Sequence, residues 1–306
     1  MIRYIDHKDI DKIKWNNCID NSGNRIIYAY TWYLDIVCDQ WDGLIQGDYE
    51  SVMPIPFKNK YGIKYVYPPL FCQQLGVFSI HPISEDLVNS FLNAIPNKYK
   101  LVELNLNILN TFLIRNYHTK PNSNYEIDLD NTYEKIYSSY SKNVKRNIKK
   151  ATKNELSISS SVDFEDIISL FKKHNAKNFT NVSKYFYSLM RNMVGEISKN
   201  GKARICIIAT KNNYSKLCAG AAWVITNDRA IYFFSAYDEY AEKVGAMHFL
   251  INYFIKQHAG KKMVLDFEGS NDLNLARFYK SFGSKERVYL FIKRNNLPKI
   301  IRFIKK

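Results

Sequence analysis

The chain has 306 residues, 46% of them apolar and 24% charged, with only 12 Gly and 8 Pro. That is about two domain lengths with enough apolar material for real cores, and it excludes collagen-like, disordered and disulfide-scaffold classes. The formal charge of +15 comes from 44 basic and 29 acidic residues, and a surplus of this size points to an anionic partner. The longest charge-free apolar stretch, Leu217 to Ile225, is far short of the ~20 residues a membrane span needs. An acid at Asp6 interrupts the place where a signal peptide carries its apolar region, so a cytoplasmic protein is expected. Five scattered cysteines (Cys18, Cys38, Cys72, Cys206, Cys218), without a C-x-x-C, read as buried reduced thiols. With no H-x-x-x-H pair either, no metal site is predicted.

In chain order, a strand is predicted at Ile2–Ile5, then helices at about 8–20 and 28–38. Strands follow at Gly43–Gln46, Tyr49–Phe57 and Ile63–Tyr67, a helix at about 85–95, and strands at Leu101–Leu106 and Tyr125–Leu129. A long helix is predicted over 131–154, a strand at Leu156–Val162, and helices at about 163–178 and 183–199. Three strands come next, Ala203–Thr210, Leu217–Thr226 and Arg229–Tyr237, separated by Asn212-Asn213 and Asn227-Asp228, both good turn chemistry. A helix at Lys243–His258, a strand at Met263–Phe267, a helix at Asp272–Ser281 and a strand at Arg287–Lys293 close the chain. The pattern from 131 to 306, β-α-α-β-β-β-α-β-α-β, repeats loosely in 1–130. We therefore expect an α/β (α+β) protein of two similar domains, 1–130 and 131–306, each a mixed central sheet flanked by helices, with the cleft in the second.

The charge is localised. Residues 142–153 hold Lys142, Lys145, Arg146, Lys149, Lys150 and Lys153 and no acid, and residues 285–306 hold eight basic residues against Glu286. In the first segment Tyr137, Tyr140, Val144, Ile148 and Ala151 recur at helical steps, which places the basic side chains on the opposite face. That face is either a solvated surface or a platform for a polyanion.

The order of elements resembles the GNAT acyltransferase fold, and its tandem form resembles the Fem-type (FemAB-like) family. The residues that carry this are Met53-Pro54 with Tyr67-Pro68-Pro69, the basic helix from Ser141 to Ala151, and Leu265-Asp266-Phe267-Glu268-Gly269 followed by Phe278-Tyr279-Lys280-Ser281-Phe282-Gly283, similar to the family's fDf-x-G … FK-x-G-FG close. The resemblance implies two tandem GNAT-like domains and transfer of an aminoacyl or acyl group to an amine, as in enzymes that extend peptidoglycan precursors from aminoacyl-tRNA. It implies no tightly bound cofactor, and a donor that is either aminoacyl-tRNA or acyl-CoA. The GNAT pyrophosphate loop, R/Q-x-x-G-x-G/A, is matched by Glu242-Lys243-Val244-Gly245-Ala246-Met247 at Gly245 alone. Glu242 would repel phosphate and Met247 would crowd it, and Fem-type proteins lose the loop too, which favours a donor other than acetyl-CoA.

Acyl transfer to an amine needs a neutral nucleophile, a stabilised oxyanion and a protonated leaving group. Tyr279 matches the tyrosine that many GNAT enzymes use as general acid and, ungapped, the position of the Fem-type lysine. A one-residue deletion puts Lys280 there instead. The two are helix neighbours about 100° apart, so one of them faces the cleft. Asp266 and Glu268, two apart at a strand end, are candidate bases. Glu268 could equally cap the next turn, and Asp266 faces either the site or a buried Arg or Lys. Tyr232, Phe234 and Tyr237 lie in the strand that would line the cleft, and Tyr237 and Phe278 are taken with Lys142, Lys145, Arg146 and Lys149 as substrate contacts. The anionic substrate is aminoacyl-tRNA, acyl-CoA or a phosphorylated cell-wall precursor, and a homodimer is compatible with the sequence. A coenzyme A-dependent N-acyltransferase with a diverged loop, or a nucleic-acid-binding protein on an inactive scaffold, would use the same residues differently.

Overall fold

A computed structural model describes residues 1–174, 183–269 and 271–298. Two compact units emerge, Met1–Asn122 with the segment from Val288, and Ser123–Arg287. This differs from a division at 130/131 in two places. The strand β7 (His118–Asp128) delivers Tyr125 and Ile127 to the core of the second unit, and Phe291–Asn295 of the last strand (β13, Lys285–Asn295) pairs antiparallel with Leu101–Asn105 of the first.

The first unit runs β1 (Ile2–Ile5), α1 (Lys12–Asn21), α2 (Thr31–Val37), β2 (Gln40–Gln46), β3 (Ser51–Lys60), β4 (Ile63–Val66), β5 (Phe78–Ser79), α3 (Glu85–Asn93) and β6 (Tyr99–Asn105). The strand order is β1-β2-β3-β4-β6-β13, with β5 on β3. The β4–β6 pair is parallel and the others are antiparallel. Val88, Phe91 and Leu92 of α3 pack onto Met53, Ile55, Val66, Val102 and Leu104 of the sheet, all fully buried.

The second unit adds α4 (Tyr133–Ser138), α5 (Lys142–Lys153), β8 (Ser157–Ser159), α6 (Phe164–His174), α7 (Lys184–Asn200), β9 (Arg204–Lys211), β10 (Leu217–Ile225), β11 (Arg229–Tyr237), α8 (Glu239–Val244), α9 (Ala246–His258), β12 (Val264–Asp266) and α10 (Leu273–Lys280). Its strands lie in the order β7-β12-β11-β10-β9-β8, with β11 and β12 parallel. Helices α5 and α9 cover one face through Val144, Ala151, Leu250 and Phe254, and Trp223 of β10 stacks on Phe254 at 4.3 Å. Helix α6 packs on β10 and β11.

Two predicted helices are broken, each by a capping residue. The helix expected over 131–154 stops at Ser138 and restarts at Lys142, because the Ser141 side chain accepts from the Val144 amide (3.3 Å) and the Ser141 amide bonds the Ser281 carbonyl (2.8 Å). The helix expected from Lys243 begins at Glu239 instead and divides at Gly245, whose φ of +78° ends α8. The last residues of the helix expected at 163–178 lie outside the described residues. Cys18, Cys38, Cys72 and Cys218 are buried, and Cys206 is half-buried.

Candidate active site

The site begins with an irregularity in β11. Strict alternation would put Tyr232 and Phe234 on one face. The β10–β11 register instead shifts between Ala222/Trp223, where Ala222 opposes Phe234 and Trp223 opposes Tyr232, so Phe233 is the extra residue of a bulge. Phe233 and Phe234 both turn to Phe164 of α6, at 6.3 and 5.8 Å between ring centroids. Tyr232, Ser235 and Tyr237 turn the other way and form one wall of a cavity of about 430 Å³. The bulge therefore sorts the strand's aromatics, leaving Tyr232 and Tyr237 in the cleft and removing Phe234 from it.

Helix α10 closes the cavity with Asn274, Leu275, Phe278 and Tyr279. Asp272 starts this helix, its Oδ1 accepting from the Asn274 and Leu275 amides at 2.9 Å each. From that start the turn of the helix points Tyr279 inward, only 5% exposed, stacked on Phe267 at 4.6 Å. Lys280 points away from the cavity, its side chain 52% exposed, ion-paired to Glu286 at 2.7 Å and lying over the Tyr125 ring. Of the two neighbours Tyr279 lines the cavity. Its hydroxyl makes no hydrogen bond among the described residues. Burial first, then the charges of Tyr232, Glu268 and Asp266, hold its pKa well above 10, so it stays a protonated donor at neutral pH.

The carboxylates at the end of β12 and just beyond it are placed differently. Asp266 is fully buried, accepting from Arg229 at 2.6 Å and from the Glu268 amide at 2.8 Å. Arg229 also donates to Glu126 of β7 at 2.7 Å, and Arg287 meets the other Glu126 oxygen at 3.4 Å. Burial raises the Asp266 pKa and the Arg229 charge opposes it, with the Glu126 charge adding to burial. Of the two environments open to Asp266, the structure supplies the buried arginine. Neither Asp266 nor Glu268 lines the cavity. Glu268 is half-buried at φ +55°, and its Coulombic influence reaches Tyr279. The next residue, Gly269, is pressed so closely on the Ser123 carbonyl that no Cβ fits.

At the junction of α8 and α9, Gly245, Met247 and His248 complete the lining with Ala241 and Glu242. A Cβ on Gly245 would stand 2.8 Å from the Asn147 carbonyl of α5, so this glycine serves the helix contact as well as the turn. Helix α9 has no side-chain N-cap. His248 lies between Phe278 and Phe282, at 5.0 and 5.8 Å, and burial lowers its pKa to about 4, which keeps it neutral. Its sequence signal was its position one helical turn past Gly245. Weighing histidines only as metal ligands passes over it.

The basic helix lies outside the cavity. Val144 and Ala151 are its buried residues, while Lys142, Arg146, Lys149, Lys150 and Lys153 are exposed. Lys145 donates to the Ser138 carbonyl at 3.1 Å and lies over the Tyr137 ring, and Arg146 donates to Asn143 at 2.7 Å. No acid pairs with these six among the described residues. In the basic C-terminal segment, Arg287 is paired with Glu126 and Lys293 with Glu103 at 2.8 Å, while the residues from 299 lie outside the described ones. The structure thus brings Tyr279, Phe278, Tyr237 and Gly245 to one cavity. It places Lys280, Asp266, Glu268 and the α5 cations elsewhere.

The profile of the acetyltransferase (GNAT) domain matches residues 138–281, which span the cavity. The likeness of this segment is to a GNAT domain. The whole chain is similar to the crystal structure of FemX, with a TM-score of 0.66 and 11% identity over 99% of this chain and 100% of that one. A tandem GNAT protein from the clavulanic acid biosynthesis pathway matches with a TM-score of 0.57 and 8% identity over 98% and 100% of the two chains. The L-PGS structure from Bacillus licheniformis matches with a TM-score of 0.51 and 15% identity over 96% and 95%. No curated protein matches the sequence. At these identities the likeness is one of fold: two tandem GNAT-like domains. Among the described residues no helix is long and apolar enough to cross a membrane.

Proposed function

We propose that the protein is an acyltransferase that moves an aminoacyl group from a polyanionic ester donor, an aminoacyl-tRNA, to an amine. The observation that carries this is the Tyr279 hydroxyl, in a side chain that lines the cavity of the GNAT-like unit, without a hydrogen-bond partner among the described residues and held protonated. A hydroxyl that lines a cavity without a protein partner is available to a ligand. In the reaction the amine nitrogen attacks the donor's carbonyl carbon, forming the C–N bond. The tetrahedral intermediate collapses with cleavage of the C–O bond. Tyr279 gives its proton to the departing oxygen, and the proton shed by the nitrogen restores the phenol through water. Neutral His248 offers the attacking amine a hydrogen-bond acceptor. Asp266, through the Glu268 amide and Arg229, is a positioning residue for the turn leading into α10.

The donor assignment follows from charge. The pyrophosphate of coenzyme A fits poorly where Glu242 lines the cavity and where the space beside Gly245 is filled by Asn147. The exposed α5 cations supply a track for a polyanion outside the cavity. One observation favours a coenzyme A donor instead: the first amides of α9 have no side-chain cap, and Gly245 and Met247 beside them line the cavity. The test is to offer the protein aminoacyl-tRNA or acetyl-CoA, each with a phosphorylated cell-wall precursor bearing a free amine, and read amide formation by mass spectrometry. An aminoacyl mass gain from tRNA at physiological salt is expected. Acetylation alone would move the assignment to coenzyme A, and salt-sensitive tRNA binding without any product would replace the enzyme by a nucleic-acid-binding protein.

A further inference from the structure

The charges of the GNAT unit are sorted by place. Cations crowd the outer face of α5, whereas no lysine or arginine is among the cavity's described lining residues. The charged side chains there are the carboxylates of Glu242 and Asp272. Asp272 is engaged with its helix cap, but Glu242 is exposed and has no partner among the described residues. Around them stand the rings of Tyr232, Tyr237, Phe278 and Tyr279. His248, the remaining titratable nitrogen, carries no charge at neutral pH. A negative rim over aromatic faces attracts a cation and repels an anion, since ring quadrupoles and carboxylates act with the same sign. The Tyr279 hydroxyl, without a protein partner among the described residues, adds a polar atom that a ligand entering the cavity can engage.

We infer that the cavity is a recognition site for a primary alkylammonium group, with Glu242 as the specificity-determining carboxylate and Tyr237 and Phe278 as the aromatic walls. This deepens the proposed function and rests on it: the substrate pair divides into a polyanionic part on α5 and an ammonium end in the cavity. The same chemistry could arrive from either side of the reaction, as the acceptor amine before it loses its proton or as the α-amine of the aminoacyl donor.

Equilibrium titration calorimetry on the full chain, with no second substrate present, separates these sources and needs no turnover. The probes are n-pentylamine for an acceptor, alanine methyl ester for a donor, n-pentanol as the uncharged control and inorganic pyrophosphate as the anion. We expect n-pentylamine, alanine methyl ester or both to bind about tenfold tighter than n-pentanol. Whichever of the two binds more tightly identifies the side that enters the cavity. Glu242→Gln should remove most of that preference. Glu242→Lys, at the same exposed position, should abolish ammonium binding and allow pyrophosphate to bind. Equal binding of n-pentanol and both amines, an unchanged preference in Glu242→Gln, or displacement of n-pentylamine by pyrophosphate in the unaltered protein would overturn the inference. A protein that binds the amine but transfers nothing would overturn the acyltransferase reading and leave this one standing.

Discussion

The two units repeat one plan of sheet and flanking helices, yet one buried phenol in each is used in an opposite way. In the first unit Tyr99 is fully buried and donates to Asp42 at 2.9 Å. Tyr4 bonds the same carboxylate and accepts from Lys98 at 2.7 Å, while the other Asp42 oxygen takes the His7 amide at 2.9 Å. Two buried amides there are consumed in the same way: Asn107 bonds Leu75, Leu109 and Asn24, and Asn110 bonds both the amide and the carbonyl of Val77. In the second unit Tyr279 is also buried, and its hydroxyl ends at the cavity with no partner among the described residues. The difference is between a phenol that holds the fold together and a phenol whose hydroxyl is open to a ligand.

The largest effect is expected where the second unit does use polar groups structurally. Arg229→Met would leave the Glu126 and Asp266 carboxylates buried and facing each other, at a cost of about 3–5 kcal/mol. Urea denaturation should show that loss, and a loss below about 1 kcal/mol would mean that the cluster is not a structural unit. Next come the matched phenols. Tyr279→Phe should lower transfer by about 10²–10⁴-fold while leaving the melting temperature nearly unchanged. Tyr99→Phe should cost about 2 kcal/mol of stability, because it removes a hydrogen bond to a buried carboxylate. The comparison breaks if Tyr279→Phe destabilises as much as Tyr99→Phe.

Gly245→Ala meets both a left-handed backbone and the Asn147 carbonyl, so a loss of about 1–3 kcal/mol is expected in thermal melts, with cavity binding reduced. The smallest effect is a pH dependence. His248 has its folded pKa lowered to about 4 from an ordinary 6.5, so between those values the unfolded chain binds more protons. Its contribution is complete above pH 6.5 and is lost as pH falls toward 4. His248→Gln should flatten that part of the melting-temperature profile between pH 7 and pH 5, and an unaltered slope would remove His248 from the account.

Much of the fold was legible along the chain. Ile2–Ile5 and Arg229–Tyr237 have the bounds that their apolar runs and turn residues predict. The splits at Ser141 and Gly245 were hidden because apolar periodicity continues across each cap. The site was legible in part. Motif matches led to Tyr279, Phe278 and Gly245, and the strand expected to line the cleft led to Tyr237, but helical spacing alone left Tyr279 and Lys280 equivalent. What distinguishes them is Glu286, which pairs with Lys280 from the start of β13. The bulge that separates Tyr232 from Phe234 leaves no mark in a period-two pattern. The partner of Asp266 lies 37 residues away on another strand, a distance that no local pattern bridges. His248 owes its neutrality to Phe278 and Phe282 of another segment, so its chemistry exists only in the folded chain.

The most direct test is single-turnover transfer from aminoacyl-tRNA to an amine-bearing cell-wall precursor, followed by mass spectrometry, with Tyr279→Phe and Lys280→Ala compared at equal stability. The account predicts that Tyr279→Phe nearly abolishes product while Lys280→Ala keeps it within about threefold, as for an exposed ion pair. Loss of product in Lys280→Ala with full transfer in Tyr279→Phe would contradict it.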